Sequence, residues 1–113
     1  MQTESLTELS AFRDALQRHE VIMLFKHSPI CPTSARAFTE WERFCDEQPD
    51  TARLFVDVIE QRAVARAIAE ECGVVHASPQ AILFRRGEPV WSASHFEIKA
   101  QTLAAAWNER SSD

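Results

Sequence analysis

The hydrophobic pattern of the chain alternates between short apolar runs and longer stretches in which apolar residues recur at helical spacing. Short runs bounded by turn residues are typical of buried strands, whereas recurrence every three or four residues is typical of amphipathic helices. The first pattern predicts four strands, at 21–25, 54–58, 80–84 and 89–93. The second pattern predicts four helices, at about 6–18, from Cys31 to a break at 48–50, at about 60–71, and after Glu97.

Cap and turn residues support these boundaries. Ser5 and Glu8 have the spacing of a capping box at the start of the first helix. Pro32 suits the first position of the second helix, because its missing N–H group would be unpaired there anyway. Gly73 is a natural stop for the third helix. The glycine-containing turn at 85–88 joins the last two strands as a hairpin.

The order of the elements is α, β, α, β, α, β, β, α, which predicts an α/β fold. Strand–helix–strand units give right-handed parallel crossovers, and the hairpin adds an antiparallel strand. We therefore expect a four-stranded mixed sheet with helices on both faces. The length of 113 residues fits one domain, with its core at about 20–109 and a short frayed tail from Arg110.

Composition narrows the classes of function. The formal charge of −5 argues against general binding to nucleic acids or anionic membranes. No apolar run is long enough for a spanning helix, and no apolar signal core follows the N-terminal residues, so we expect a cytoplasmic protein. Three cysteines are an odd number, which excludes a complete disulfide framework and fits reduced thiols in a reducing compartment.

Cys31 is the candidate nucleophile. It lies between the first predicted strand and the second predicted helix, at the edge of the sheet where ligands usually bind. The free N–H groups and the positive end of the helix dipole stabilise a thiolate there, and the nearby cations Lys26 and His27 would act in the same direction. The alternative is a buried structural cysteine. Ser34 has two open roles: it donates a hydrogen bond to the thiolate, or it is solvated.

Cys45 and Cys72 are expected to fill the core rather than to react with Cys31. Cys45 is fourteen positions further along the same helix, or about 21 Å away at the helical rise. A disulfide needs Cα atoms within about 7 Å. Cys72 lies at a helix end beside Glu70 and Glu71, where the dipole and the charges disfavour a thiolate. The Cys and His residues show no metal-binding spacing, so no metal site is expected.

Four segments in collinear order resemble the monothiol bacilliredoxins of the YtxJ type, within the thioredoxin superfamily. They are Leu-Phe-Lys-His-Ser at 24–28, Cys-Pro-Thr-Ser at 31–34, His-Ala-Ser-Pro-Gln at 76–80 and Trp-Ser-Ala-Ser-His at 91–95. The resemblance implies a thioredoxin-like fold with a cis bond between Ser78 and Pro79. The Ser78 backbone would then lie opposite Cys31, where it can pair with an incoming thiol or peptide as an added strand. His95 would lie beside the proline.

The resemblance also implies a function. Such proteins act in the cytoplasm of bacteria that make bacillithiol, a low-molecular-weight thiol. Here Cys31 would remove bacillithiol from S-bacillithiolated client proteins, with bacillithiol as co-substrate and no tightly bound cofactor. A flavin-dependent bacillithiol disulfide reductase would be an indirect partner, because it would recycle the bacillithiol disulfide that the reaction releases. The residues implied as supporting the thiolate are Pro32, Ser34 and Lys26, with Lys26 also attracting the bacillithiol carboxylates. The residues implied as binding the substrate are His27, Thr33, Ser78, Pro79 and His95.

Ser34 separates this scheme from a dithiol enzyme, which would carry a resolving cysteine at that position. Without a thiol there, a mixed disulfide at Cys31 must wait for an external thiol. Other hypotheses stay open. They are a monothiol glutaredoxin-like enzyme that uses another thiol, a thiol-dependent peroxidase, a non-catalytic binding module with a thioredoxin fold, and an iron–sulfur carrier.

Overall fold

Five strands and four helices form the part of the chain that the computed structural model describes, residues 3–111. The strands are β1 (Thr3–Ser5), β2 (Val21–His27), β3 (Arg53–Asp57), β4 (Gln80–Arg85) and β5 (Glu88–Ser94). The helices are α1 (Leu9–Arg18), α2 (Pro32–Glu47), α3 (Arg62–Cys72) and α4 (Ala100–Ser111), and a 3₁₀ turn spans His95–Glu97. Every strand and helix that the pattern predicted is present.

The strands form one mixed sheet in the order β1-β3-β2-β4-β5. Strand β3 pairs in parallel with both β1 and β2. Strand β4 pairs antiparallel with β2, and β5 pairs antiparallel with β4. The α/β class and the mixed sheet are thus confirmed, although the sheet has five strands within residues 3–111 instead of four.

Strand β1 is the element that the hydrophobic pattern did not predict. Its sequence, Thr-Glu-Ser, is polar, and backbone pairing with β3 defines it. Because Ser5 belongs to this strand and the Leu6 N–H group donates to the Phe55 carbonyl at 2.8 Å, the backbone is still extended at this point. Helix α1 begins only at Leu9, with Glu8 as its N-cap. The capping box expected at Ser5 and Glu8 is therefore wrong.

Two hydrophobic cores lie on opposite faces of the sheet. Strand β2 contributes to both cores, because successive side chains of a strand point to opposite faces. Met23 and Phe25 pack with residues of α2 and α4. Ile22 and Leu24 pack with residues of α1 and α3. The helices thus cover both faces, as expected, and hold β2 between them.

The helix ends follow the sequence in one case and depart from it in another. Gly73 ends α3 with a positive φ of 75°, as predicted. Helix α4 continues to Ser111, so Arg110 is helical rather than frayed. The rest of the expected tail, residues 112–113, lies outside the described residues. Within residues 3–111, no helix is long and apolar enough to cross a membrane.

Candidate active site

Cys31 lies at the N-terminus of α2, after the short loop that follows β2. Its backbone is extended (φ −104°, ψ 123°), and its carbonyl accepts a hydrogen bond from the Ala35 N–H group at 3.0 Å, as an N-cap residue does. Pro32 occupies the start of the helix, as predicted. The half-buried free thiol of Cys31 therefore lies at the positive end of the helix dipole, which stabilises a thiolate.

Ser34 is buried and contacts the loop before Cys31. Its Oγ accepts a hydrogen bond from the Ser28 N–H group at 2.8 Å and lies 2.8 Å from Nδ1 of His27. Cys31 makes no side-chain capping bond, and among residues 3–111 Ser34 has no hydrogen bond to the thiol. The direct bond expected from Ser34 to the thiolate is thus not formed. A solvated position is wrong as well, because the residue is buried.

His27 has an aromatic environment on the same face of the sheet as the first core. Its ring lies 4.8 Å from the Phe38 ring, between centroids, and also contacts Phe25 and Phe55. Burial lowers the pKa of His27, although the negative charge of Asp57 opposes this effect. The imidazole is therefore mainly neutral at neutral pH and adds little positive charge near the thiol, contrary to expectation. A neutral ring can accept the hydroxyl hydrogen of Ser34 at Nδ1.

Lys26 lies on the opposite face of β2 from His27. Its side chain is 0% exposed, and its Nζ donates a hydrogen bond to Oε1 of Gln80 at 3.1 Å. Burial lowers the pKa of Lys26 to about 8, while the nearby Cys72 acts in the opposite direction. An ammonium group buried in this way does not meet the carboxylates of a ligand at the surface. The alternative of an ordinary solvated lysine is also wrong.

The loop before β4 carries the cis peptide bond that the resemblance implied, between Ser78 and Pro79. The Pro79 carbonyl accepts a hydrogen bond from the His95 N–H group at 3.2 Å, so His95 lies beside the proline, as expected. The Oγ of Ser78 is buried and has no hydrogen-bond partner within residues 3–111. Thr33 lies half-buried in the first turn of α2.

Two exposed apolar side chains flank predicted site residues in sequence and were missed by the pattern. Ile30 precedes Cys31 and is 78% exposed, and Phe96 follows His95 and is 64% exposed. The guanidinium carbon of Arg36 lies 5.5 Å from the centroid of the Phe96 ring. The sequence could have indicated them by their position, because both lie next to candidate site residues and neither belongs to a predicted strand or to the apolar face of a predicted helix. Exposed apolar residues of this kind are candidates for contact with another molecule.

The other two cysteines are free and half-buried. Cys45 packs against the core formed with α2 and α4, and Cys72 packs against the core formed with α1 and α3. Burial raises the pKa of Cys45, which disfavours its thiolate. Both residues thus fill the cores, as expected. Over the described range, no group of three or more His, Cys, Asp or Glu side chains could hold a metal ion.

Comparisons with known proteins identify the family and agree with the fold. A family model described as "Monothiol bacilliredoxin BrxC" matches residues 4–103. A solved structure of a protein described as an oxidoreductase with a thioredoxin fold is 32% identical, with 92% of each chain covered and a TM-score of 0.85. Oxidized mitochondrial thioredoxin 3 from Saccharomyces cerevisiae is 20% identical, with 95% of this chain and 94% of that chain covered and a TM-score of 0.75. Thioredoxin from Trypanosoma brucei brucei is 15% identical, with coverages of 99% and 93% and a TM-score of 0.79.

Proposed function

This chain belongs to the monothiol bacilliredoxin family and is a thiol–disulfide oxidoreductase, and we propose that it removes bacillithiol from S-bacillithiolated proteins. One observation carries the proposal beyond the family: a single thiol, Cys31, lies at a helix N-terminus, and a buried hydroxyl, Ser34, stands in place of a second thiol. Such a site holds a mixed disulfide until an external thiol arrives.

The proposed cycle has two thiol–disulfide exchanges. First, the Cys31 thiolate attacks the bacillithiol sulfur of the client's mixed disulfide. The bond between bacillithiol and client breaks, and the client leaves as a thiolate that takes up a proton. Second, a bacillithiol thiolate attacks the bacillithiol sulfur now bound to Cys31, which releases the Cys31 thiolate and bacillithiol disulfide. The net change converts one mixed disulfide and one bacillithiol into a reduced client and bacillithiol disulfide.

The surrounding residues have separate roles in this cycle. The N-terminus of α2, with Pro32 in its first position, stabilises the Cys31 thiolate both as attacking and as leaving group. The hydrogen bond from the Ser28 N–H group to Ser34 positions the loop that carries the thiol, and His27 holds the Ser34 hydroxyl in place. We assign the Ser78–Pro79 backbone to pairing with the client. The contacts to the bound thiol are assigned to Thr33 and His95.

The cycle also defines partners and a compartment. Bacillithiol is the co-substrate, S-bacillithiolated proteins are the clients, and no tightly bound cofactor takes part. A flavin-dependent bacillithiol disulfide reductase would recycle the oxidised product. We place the protein in the cytoplasm, where bacillithiol would be kept reduced for the second exchange.

The first test is the intact mass of the reduced protein after mixing with a bacillithiol-modified peptide or with a glutathione-modified one. We expect one bacillithiol adduct, absent from the Cys31→Ser variant and removed by free bacillithiol. Equal transfer from the glutathione peptide would contradict bacillithiol as the specific substrate and would favour a glutaredoxin-like enzyme. If neither peptide gave an adduct while clients still bound, the binding-module hypothesis would replace the proposal.

A further inference from the structure

A cationic cavity lies beside the loop that leads to the nucleophile. Its volume is about 260 Å³, and its lining includes Arg62 and Arg66 of α3 together with Ser28, His76 and Ser78. The Ser28 carbonyl accepts a hydrogen bond from the N–H group of the nucleophilic cysteine at 3.2 Å. The cavity therefore shares a wall with the loop that positions the thiol.

Within residues 3–111, the two arginines of this cavity have no carboxylate partner. They lie one turn apart on α3, and within residues 3–111 neither forms a salt bridge or a hydrogen bond. Other arginines of the chain are held by carboxylates: Arg13 by Glu71, Arg86 by Glu20, and Arg18, Arg43 and Arg110 by acidic residues close to them in space. In a chain of net charge −5, two cations on one wall without a counter-charge favour an anionic ligand.

The rest of the lining adds hydrogen-bond donors and no competing acid. None of the described residues that line the cavity is Asp or Glu. Partial burial lowers the pKa of His76, and the charges of Lys26 and Arg66 lower it further, so its neutral ring keeps one N–H group as a donor. The buried Ser78 hydroxyl has no partner within the described residues. A buried hydroxyl without a partner is costly, and a ligand oxygen would supply the missing acceptor.

The cavity beside His95 is a less suitable site for an anion. It is smaller, about 110 Å³, and although Arg36 and Lys99 line it, Glu40 lines it too. That carboxylate also accepts a hydrogen bond from the Ala100 N–H group at 2.8 Å. An anion there would meet a negative charge that the α3 cavity lacks.

We propose that the cavity at Arg62 and Arg66 binds the carboxylate groups of the low-molecular-weight thiol that forms a mixed disulfide with Cys31. This inference rests on the proposed function, in which that thiol is bacillithiol. Each guanidinium group can form two parallel bonds with a carboxylate, and the Ser78 hydroxyl adds a further donor. The cavity recognises the charged end of the thiol while its sulfur is joined to Cys31.

The kinetic test uses two double variants that each remove two positive charges beside the site. The variant R62Q/R66Q changes the proposed cavity, and R36Q/K99Q changes the smaller cavity beside His95. The measured quantity is the rate constant for mixed-disulfide formation with bacillithiol disulfide and with the uncharged hydroxyethyl disulfide. Two exposed charge pairs of ordinary strength predict a loss of about tenfold for R62Q/R66Q with bacillithiol disulfide. Its rate with hydroxyethyl disulfide, and both rates of R36Q/K99Q, should stay near those of the unmodified chain.

Three results would overturn the cavity. The first is an unchanged rate in R62Q/R66Q. The second is the same loss of rate in both double variants, which would indicate general charge attraction. The third is the same loss of rate with both disulfides, which would indicate damage to the nucleophile. No client protein is present, so a selective loss must come from the carboxylates of the thiol and not from acidic side chains of a client.

A binding measurement separates this inference from the proposed function. The probe is malate, a small dicarboxylate that has no thiol, and the control is its uncharged dimethyl ester. Each is titrated into the Cys31→Ser protein while the amide signals of His76 and Ser78 are followed by NMR. Shifts with malate alone, lost in the R62Q/R66Q background, support the cavity even if bacillithiol proves to be the wrong thiol. No shift with malate, or equal shifts with the ester, would overturn it even if debacillithiolation is confirmed.

Discussion

Two polar clusters lie on opposite faces of β2, one around the buried Lys26 and one around the half-buried His27. In one, His27 contacts the hydroxyl of Ser34, and in the other Lys26 donates to the side chain of Gln80. Burial lowers the pKa of both ionisable groups. The two clusters are thus chemically similar, because each joins one titratable group to one neutral partner.

Their connections to the rest of the molecule differ. Ser34 also accepts a hydrogen bond from the N–H group of Ser28, which lies in the loop that ends at Cys31. The Lys26 cluster instead lies near Cys72, in the core formed with α1 and α3. The alternation of one strand therefore separates a polar cluster that contacts the loop before Cys31 from one that joins the second core to the loop before Ser78. Variants on the two faces should differ accordingly.

The largest difference is expected between the two cysteines associated with these faces. Cys31→Ser should reduce debacillithiolation to the uncatalysed rate, because no other thiol lies at a helix N-terminus within residues 3–111. Cys72→Ala should retain the activity and lose only stability, by about 1 kcal/mol for a half-buried side chain. Turnover of a bacillithiol-modified peptide and urea unfolding measure the two effects. Loss of turnover in Cys72→Ala would show that the two faces are coupled.

Much of this arrangement could be predicted from the sequence. The apolar run at 21–25 and the proline after Cys31 are local signals, and they correctly predicted that Cys31, the candidate nucleophile, lies between a strand and a helix. The alternation of Ile22 and Leu24 could also have predicted the burial of Lys26 on the same face. Strand β1 could not be predicted in this way, because its polar residues pair with β3 through backbone groups alone.

The contacts inside the site were harder to predict than its location. Ser34 meets His27 across the loop that separates β2 from α2, so their contact depends on how the loop closes and not on spacing. The cis bond at Pro79 followed from the family resemblance, since the residues around it carry no physical signal strong enough to predict it. Within residues 3–111, Arg62 and Arg66 of α3 form no salt bridge, and the sequence could not predict this because the salt bridges of the other arginines depend on the fold.

Removing the hydroxyl of Ser34 should have the largest effect on stability. In Ser34→Ala the buried N–H group of Ser28 loses its acceptor and His27 loses its partner. We expect the free energy of unfolding to fall by about 2 to 3 kcal/mol, measured by urea denaturation. Thr39→Ala is the matched control, because it removes an exposed hydroxyl from the same helix, and its change should stay within about 0.5 kcal/mol. Equal changes in the two variants would contradict a special role for the Ser34 hydroxyl.

Replacing Lys26 should have the opposite sign. Its folded pKa of about 8 lies below the ordinary value of 10.5, so the unfolded chain binds the proton more tightly and stability rises with pH between these two values. Lys26→Met removes the buried charge and leaves the Gln80 oxygen with the Ala77 N–H group as a donor. We expect the free energy of unfolding at pH 7 to increase by about 1 to 2 kcal/mol, after allowing for the lost hydrogen bond.

The pH profile distinguishes this explanation from a simple packing effect. From pH 7 to pH 10.5 the stability advantage of Lys26→Met should disappear and then reverse, because the charge penalty of the unmodified chain is lost while the variant still lacks the hydrogen bond to Gln80. A constant difference across this range would indicate that packing, and not charge, accounts for the gain. A loss of stability at pH 7 would contradict the prediction altogether.

The smallest expected effect is on the other face and at the other end of the pH range. The pKa of His27 is lowered in the folded state, so as pH falls through its ordinary value near 6.5 the unfolded chain takes up a proton first and stability is lost. His27→Asn keeps a polar group beside Ser34 but does not titrate, so its free energy of unfolding should fall less between pH 7 and pH 5. His76, whose pKa is also lowered, is present in both proteins and cancels from the comparison. Urea unfolding at pH 7, 6 and 5 measures the difference, and parallel profiles would show that protonating His27 does not disturb its bond to Ser34. A steeper profile for the unmodified chain would instead show that the His27 cluster makes the free energy of unfolding depend on pH below 7, whereas the Lys26 cluster makes it depend on pH above 7.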